Sequence, residues 1–187
     1  LKAWEKIFPG QYHPISEISG DLMSHLRYPE NLFKVQRELL AKYHVSSAGQ
    51  FFSGEDFWQT PVDPTESATA QQQGVPQPPY YLSLQTGGSK KPVFSLTSSY
   101  IPAGTSTREI LTGFLSVDSD AGNEKGVIGP NYGTIRLQEL PKDSNVPGPG
   151  QAQNNFNANA DVSKELNLLE SGSTKVNRGN LLTLPLG

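Results

Sequence analysis

Oxygen-bearing side chains gather at one place in this sequence: Asp118, Asp120, Asn123 and Glu124 lie within a single glycine-containing stretch. Carboxylates and amides on a flexible loop are ligands for a hard cation such as calcium. The EF-hand spacing is not met. Counting from Asp118, Gly122 and Asn123 stand where a ligand and the turn glycine belong, and Gly129 replaces the bidentate glutamate. A solvated loop is therefore expected, with a calcium-stabilised module as the alternative. The three histidines, His13, His25 and His44, share no metal-ligand spacing and read as surface or helix-end residues. No Walker loop, HExxH, GxSxG or complete GxGxxG is present; Gly148-Pro149-Gly150 lacks the third glycine and the strand-to-helix setting. Phe51, Phe52, Phe57 and Trp58 form a dense aromatic group, either a carbohydrate-stacking platform or core. Core packing is the expectation, because aromatic rings are first of all large apolar surfaces. No residue is assigned to catalysis, to a cofactor or to a metal, and no cofactor is expected. An enzymatic reading needs carboxylates from separate segments, such as Asp56, Asp118 and Asp161, to converge in one cleft.

Composition narrows the choice further. The chain has no cysteine, which excludes a disulfide framework, a thiolate zinc site and a cysteine nucleophile. Its net charge is −3 and its one adjacent basic pair is Lys90-Lys91, so there is no basic footprint for nucleic acid or anionic lipid. At 187 residues the chain suffices for one domain that buries roughly 70% of its unfolded surface. Charged residues make up only 18%, while 18 glycines and 15 prolines are in excess, which implies long irregular connections. No apolar run approaches the roughly 18 residues of a membrane span, and no signal peptide is visible at the start. With Leu1 first and Met23 as its one methionine, the chain is expected to be a piece of a longer product.

The side chains above must be positioned by a sheet. Over Pro79 to Leu140, period-two alternation predicts four short strands, each with an apolar and a wetter face. Tyr80, Leu82 and Leu84 form the first apolar set, Phe94 and Leu96 the second, Leu115 and Val117 the third, Ile135 and Leu137 the fourth. Gly87-Gly88 marks the first hairpin turn. Ser106 and Glu109 are spaced like a capping box, and Ile110, Leu111, Phe114 and Leu115 also fit helical spacing. The expected fold class is α+β, an antiparallel sheet of about four to five strands covered by amphipathic helices.

The helices come before and after. Leu1 to Phe8 reads as the tail of a helix stopped by Pro9-Gly10, and Ser19 or Asp21 as the cap of a short helix bearing Leu22, Met23 and Leu26. From Pro29 and Glu30 a stronger helix runs to His44-Val45, with Leu32, Val35 or Gln36, Leu39 and Tyr43 on one stripe widened by Phe33 and Leu40. Each large side chain it buries would contribute about 1.5 to 3 kcal/mol. Ser53 reads as the cap of a turn over Gly54 to Trp58. The segment 60–79, with five prolines and Gln71-Gln72-Gln73, reads as a mobile or extended linker. Val146 to Gly150 reads as a stiff connection, Asp161 as the cap of a helix with Val162, Leu166 and Leu169 on one face and Gly172 at its end, and Leu181 to Leu186 as a last strand. The single domain thus divides into a helical region over 1–59, a linker over 60–79, a sheet region over 80–140 and a helix with a last strand over 146–187.

Several runs carry a family resemblance. Tyr28-Pro29-Glu30-Asn31-Leu32-Phe33-Lys34-Val35-Gln36, Asp56-Phe57-Trp58, Pro78-Pro79-Tyr80-Tyr81-Leu82, Val146-Pro147-Gly148-Pro149-Gly150-Gln151 and Gly179-Asn180-Leu181-Leu182 together resemble Uncharacterised Protein Family 0182. The resemblance spans nearly the whole chain in order. It implies a large bacterial membrane protein with several spanning helices before a long soluble region, to which this segment belongs. It transfers no activity and no catalytic residue. The expectation is a non-catalytic, extracytoplasmic binding or assembly domain in the cell membrane, its partners the spanning portion of its own chain and cell-envelope components. The alternative is a piece of an envelope enzyme whose active site is completed elsewhere.

Overall fold

The computed structural model describes residues 2–54, 56–85, 90–104 and 109–185. The architecture is α+β, an antiparallel five-stranded sheet with helices before and after it. Strands β1 (Trp58–Gln59) and β2 (Tyr80–Leu84) lie end to end along one edge of the long β3 (Val93–Pro102). Strand β3 then pairs with β4 (Gly113–Asp118), and β4 with β5 (Ile135–Glu139). The meander read from alternation is therefore present. Its Gly87-Gly88 turn, Ser106 of the capping box and Leu186 of the last strand lie outside the described residues.

Register corrects the faces. Tyr81 stands opposite Leu96, and Leu96 opposite Val117, so they share one face with Leu115 and Leu137. From β2 the core takes Tyr81, whereas Tyr80, Leu82 and Leu84 fall on the other face beside Thr97 and Ser95. That other face is also shut off from solvent. Ser95, Thr97, Ser99, Ser116 and Asp118 are all buried there. The segment 181–185 reaches it without forming a strand: the Ser99 hydroxyl donates to Thr183 O at 3.2 Å, and Gln77 Nε2 donates to Leu181 O at 2.5 Å.

The helical layer contains α1 (Lys2–Ile7), α2 (Gly20–Met23) capped by Ser19, α3 (Glu30–Tyr43) and α4 (Ala48–Ser53). The aromatic turn is corrected: Ser53 ends α4 instead of capping a later turn, and Gly54 follows in the left-handed region at φ 68°. The larger correction is at α3. Its buried residues are Phe33, Arg37 and Ala41, with Leu40 packed against the core; Phe33 and Leu40 thus face inward as expected, while the rest of the expected stripe, Leu32, Val35, Leu39 and Tyr43, is exposed, from 47% at Leu32 to 63% at Tyr43. Two stripes compete on this helix, and the inward one carries Phe33 and Ala41 with Arg37, which finds polar partners in the connection before β2 and on β3. Its Nη1 donates to Gln77 O at 2.9 Å and to the Ser98 hydroxyl at 3.4 Å, and its Nε lies 3.4 Å from Glu38 Oε1. Burial draws this guanidinium below its ordinary pKa and Glu38 opposes that.

Three tyrosines reinforce the same junction. Tyr81 donates to Tyr28 O at 2.6 Å, Tyr100 to Arg37 O at 2.7 Å and Tyr132 to Arg27 O at 3.0 Å. Burial pushes all three hydroxyls up. The core between the layers joins Tyr28, Phe33 and Ala41 to Trp58, Leu96, Tyr100, Leu115 and Val117. Trp58 enters it because β4 has a glycine there: a Cβ on Gly113 would stand 2.6 Å from Trp58 Cζ3.

The connection 60–79 has structure of its own. Asp63 N donates to Val75 O and Gln77 N to Pro61 O, with the helix α5 (Ala68–Gln72) between, capped by Ser67. After β5, α6 (Pro149–Ala158) replaces the end of the stiff connection, with Pro149 opening the helix. Next, α7 (Ala160–Leu169) is capped by Asn159 instead of Asp161. Among the described residues no helix is long and apolar enough to cross a membrane.

Replacing Arg37 should expose how much the junction depends on it. Arg37→Ala removes a buried donor set and opens a cavity, and is expected to cost about 3–5 kcal/mol. Arg37→Met keeps the volume and should cost about 1–3 kcal/mol, while Leu39→Ala on the exposed stripe should stay within about 0.5 kcal/mol. Urea midpoints of the three variants at unchanged slope check the order.

Candidate functional site

The carboxylates singled out by spacing do not meet. Asp118, 2% exposed, is engaged by the Arg136 guanidinium, whose pKa is raised chiefly by that hydrogen bond. Asp120 accepts from Gly122 N at 2.9 Å, an ordinary turn contact, while Asn123 and Glu124 are exposed. Among the described residues no group of three His, Asp or Glu side chains is placed to hold a metal ion. Asp161 lies in the first turn of α7. Of the enzymatic trio only Asp56 borders a cleft. His13 pairs with Glu17, and His25 is exposed after α2.

The cleft lies where β3, β4 and β5 meet the segments before β1. It encloses about 340 Å³. Its apolar wall comes from Phe57, Trp58, Pro102, Ile110, Leu111 and Leu140; its polar groups are His44, Gln50, Asp56, Glu139 and Lys142. The His44 ring stacks on Trp58, with centroids 3.5 Å apart and planes 20° from parallel. Its Nδ1 is 3.0 Å from Leu40 O. A carbonyl only accepts, so Nδ1 carries the proton and Nε2 of the neutral ring is an acceptor. Asp56 accepts from Gln50 Nε2 at 2.9 Å and from Lys142 Nζ at 3.0 Å, which links α4 to the segment after β5. The sequence names Asp56 only among carboxylates of separate segments and reads His44 as a surface or helix-end residue, and no local pattern joins them to Glu139 and Lys142, which lie far along the chain.

The aromatic group divides. Trp58 is core, packed on His44 and Tyr100. Phe51 stacks on Tyr43 and meets Phe52 and Phe57 edge-on, and Phe52 is 86% exposed. The outer stripe of α3, Leu32, Val35, Leu39 and Tyr43, thus continues through Phe51 to Phe52 as one uncovered apolar face. Leu168 and Leu169 on α7 and Trp4 and Ile7 on α1 are uncovered as well.

Comparison with known proteins gives one consistent result. The profile of a family described as "Uncharacterised protein family (UPF0182)" matches residues 1–169. A UPF0182 protein of Bifidobacterium adolescentis is 88% identical over 187 residues, which are all of this chain and 17% of that protein. A second, from Bifidobacterium longum, is 84% identical across the whole chain and 18% of its own length. A third, from Paenarthrobacter aurescens, is 58% identical over 189 residues and 18% of its length. The chain therefore spans less than a fifth of these relatives. No solved structure matches it.

Substitution separates the core ring from the exposed one. Trp58→Ala should cost about 3–5 kcal/mol by cavity formation, whereas Phe52→Ser should shift stability by less than about 0.5 kcal/mol. Thermal or urea unfolding of both variants measures the difference.

Proposed function

The chain belongs to the uncharacterised protein family UPF0182, and we propose that it is a non-catalytic assembly segment of a multi-pass membrane protein, held on the extracytoplasmic side. The observation that carries this reading is the uncovered apolar face of α3, Tyr43 and Phe52, in a chain that spans 17% to 18% of its relatives. Single exposed apolar residues are ordinary on any protein. A continuous row of them on one helix is a surface for something else. The occupant we assign is the membrane-spanning portion of the same parent chain, since most of each relative's length lies outside the matched segment. Of the carboxylates named for the enzymatic alternative, Asp118 is held in the sheet and Asp161 on α7, while Asp56 lines a cleft with Glu139 from a separate segment.

The chain's lack of cysteine allows a two-site labelling test in the parent protein, with any cysteines elsewhere replaced. Asn145→Cys, at an exposed position, should react with a membrane-impermeant maleimide on intact cells. Leu39→Cys should stay unreactive until the protein is denatured. Labelling of Asn145→Cys only after lysis would remove the extracytoplasmic placement, and ready labelling of Leu39→Cys would remove the assembly face.

A further inference from the structure

The cleft beside β1 plays no role in that assembly reading, and one carboxylate in its lining is left without a partner. Several of its donors are already engaged. Lys142 Nζ and Gln50 Nε2 both donate to Asp56, the Thr112 hydroxyl donates to Tyr100 O, and His44 Nδ1 donates to Leu40 O. The backbone N–H groups of Leu111, Thr112 and Leu140 are bonded to Val146 O, Tyr100 O and Thr112 O. The Glu139 carboxylate has no hydrogen bond or ion pair among the described residues, and beside it the Ser46 hydroxyl and the remaining N–H groups of Lys142 and Gln50 are the unengaged donors. The cleft is lined by two carboxylates, Asp56 and Glu139, and one ammonium, Lys142.

We propose that this cleft binds a small organic cation, an amine carried on an apolar body. About 340 Å³ places it among the smaller ligand sites. The wall of Phe57, Ile110, Leu111 and Leu140 takes the apolar body, and Glu139 receives the ammonium. The Lys142–Asp56 pair acts as a latch at the rim. Lys142 is largely exposed, and without it the Asp56 carboxylate becomes a second counter-ion for the same ligand.

The test uses the whole parent protein and three probes of one shape: phenethylamine, 2-phenylethanol and phenylacetate, each followed by equilibrium dialysis. Phenethylamine should bind saturably, above the alcohol, which reports partition into detergent or lipid. Glu139→Gln is a conservative change at an exposed strand end and should weaken amine binding by about tenfold, the loss expected for one charge-assisted hydrogen bond. Lys142→Gln should tighten it by several-fold. Phenylacetate binding as tightly as the amine would overturn the proposal in favour of an anion site. So would amine binding equal to that of the alcohol, or binding that neither variant changes. None of these outcomes depends on which side of the membrane the segment occupies.

Discussion

A guanidinium cannot be buried without partners, and Arg37, only 3% exposed, lies between α3 and the sheet. Its needs set much of the surrounding structure. Gln77 O must be present to accept from Nη1, so the connection 60–79 has to fold back along Pro61 and Asp63 to bring it there. The same Gln77 then reaches Leu181 O, which ties in the C-terminal segment. Ser98 supplies a hydroxyl from the middle of β3, and Tyr100, two residues on, returns a hydrogen bond to the Arg37 carbonyl. Arg37 and Gln77 together thereby join α3, β3, the connection and the C-terminal segment. A helix held in this way has no rotational freedom left, and its richest apolar stripe is turned outward.

That rotation is where sequence reading and structure diverge. Strands β2 to β5 were legible because alternation is a local signal, and α3 was legible from its period and from Pro29 and Glu30 at its start. Which side of α3 faces the sheet was not legible, since the deciding partners lie 40 and 61 residues away in sequence. The face of β2 was misread for a similar reason. Tyr81 reaches the core through its ring and satisfies its hydroxyl on Tyr28 O, a compromise that simple alternation of Leu82 and Leu84 conceals. Helix α6 is built from Gln, Asn and Ala, with no apolar period to announce it. The cleft is contributed by segments from His44 to Lys142, so no local pattern marks it.

Two surfaces of different character result. The outer face of α3 is broad and apolar, suited to another protein surface, and its exposure follows from the inward commitment of Arg37 and Phe33. The cleft is narrow and acceptor-rich, and it lies at the far end of the same helix, where His44 closes α3 and stacks on Trp58. Through that stack the cleft and the outer face of α3 share one helix.

The most direct measurement of the central claim is photo-crosslinking from the α3 face. A benzoylphenylalanine at Val35 of the parent protein, irradiated in the membrane, would be mapped by mass spectrometry with isotopically heavy and light chains mixed to distinguish links within one chain from links between copies. The outward stripe predicts adducts within the same polypeptide, at residues outside the 187-residue segment. Links to a second copy, or no adduct beyond the segment itself, would contradict an intramolecular docking face.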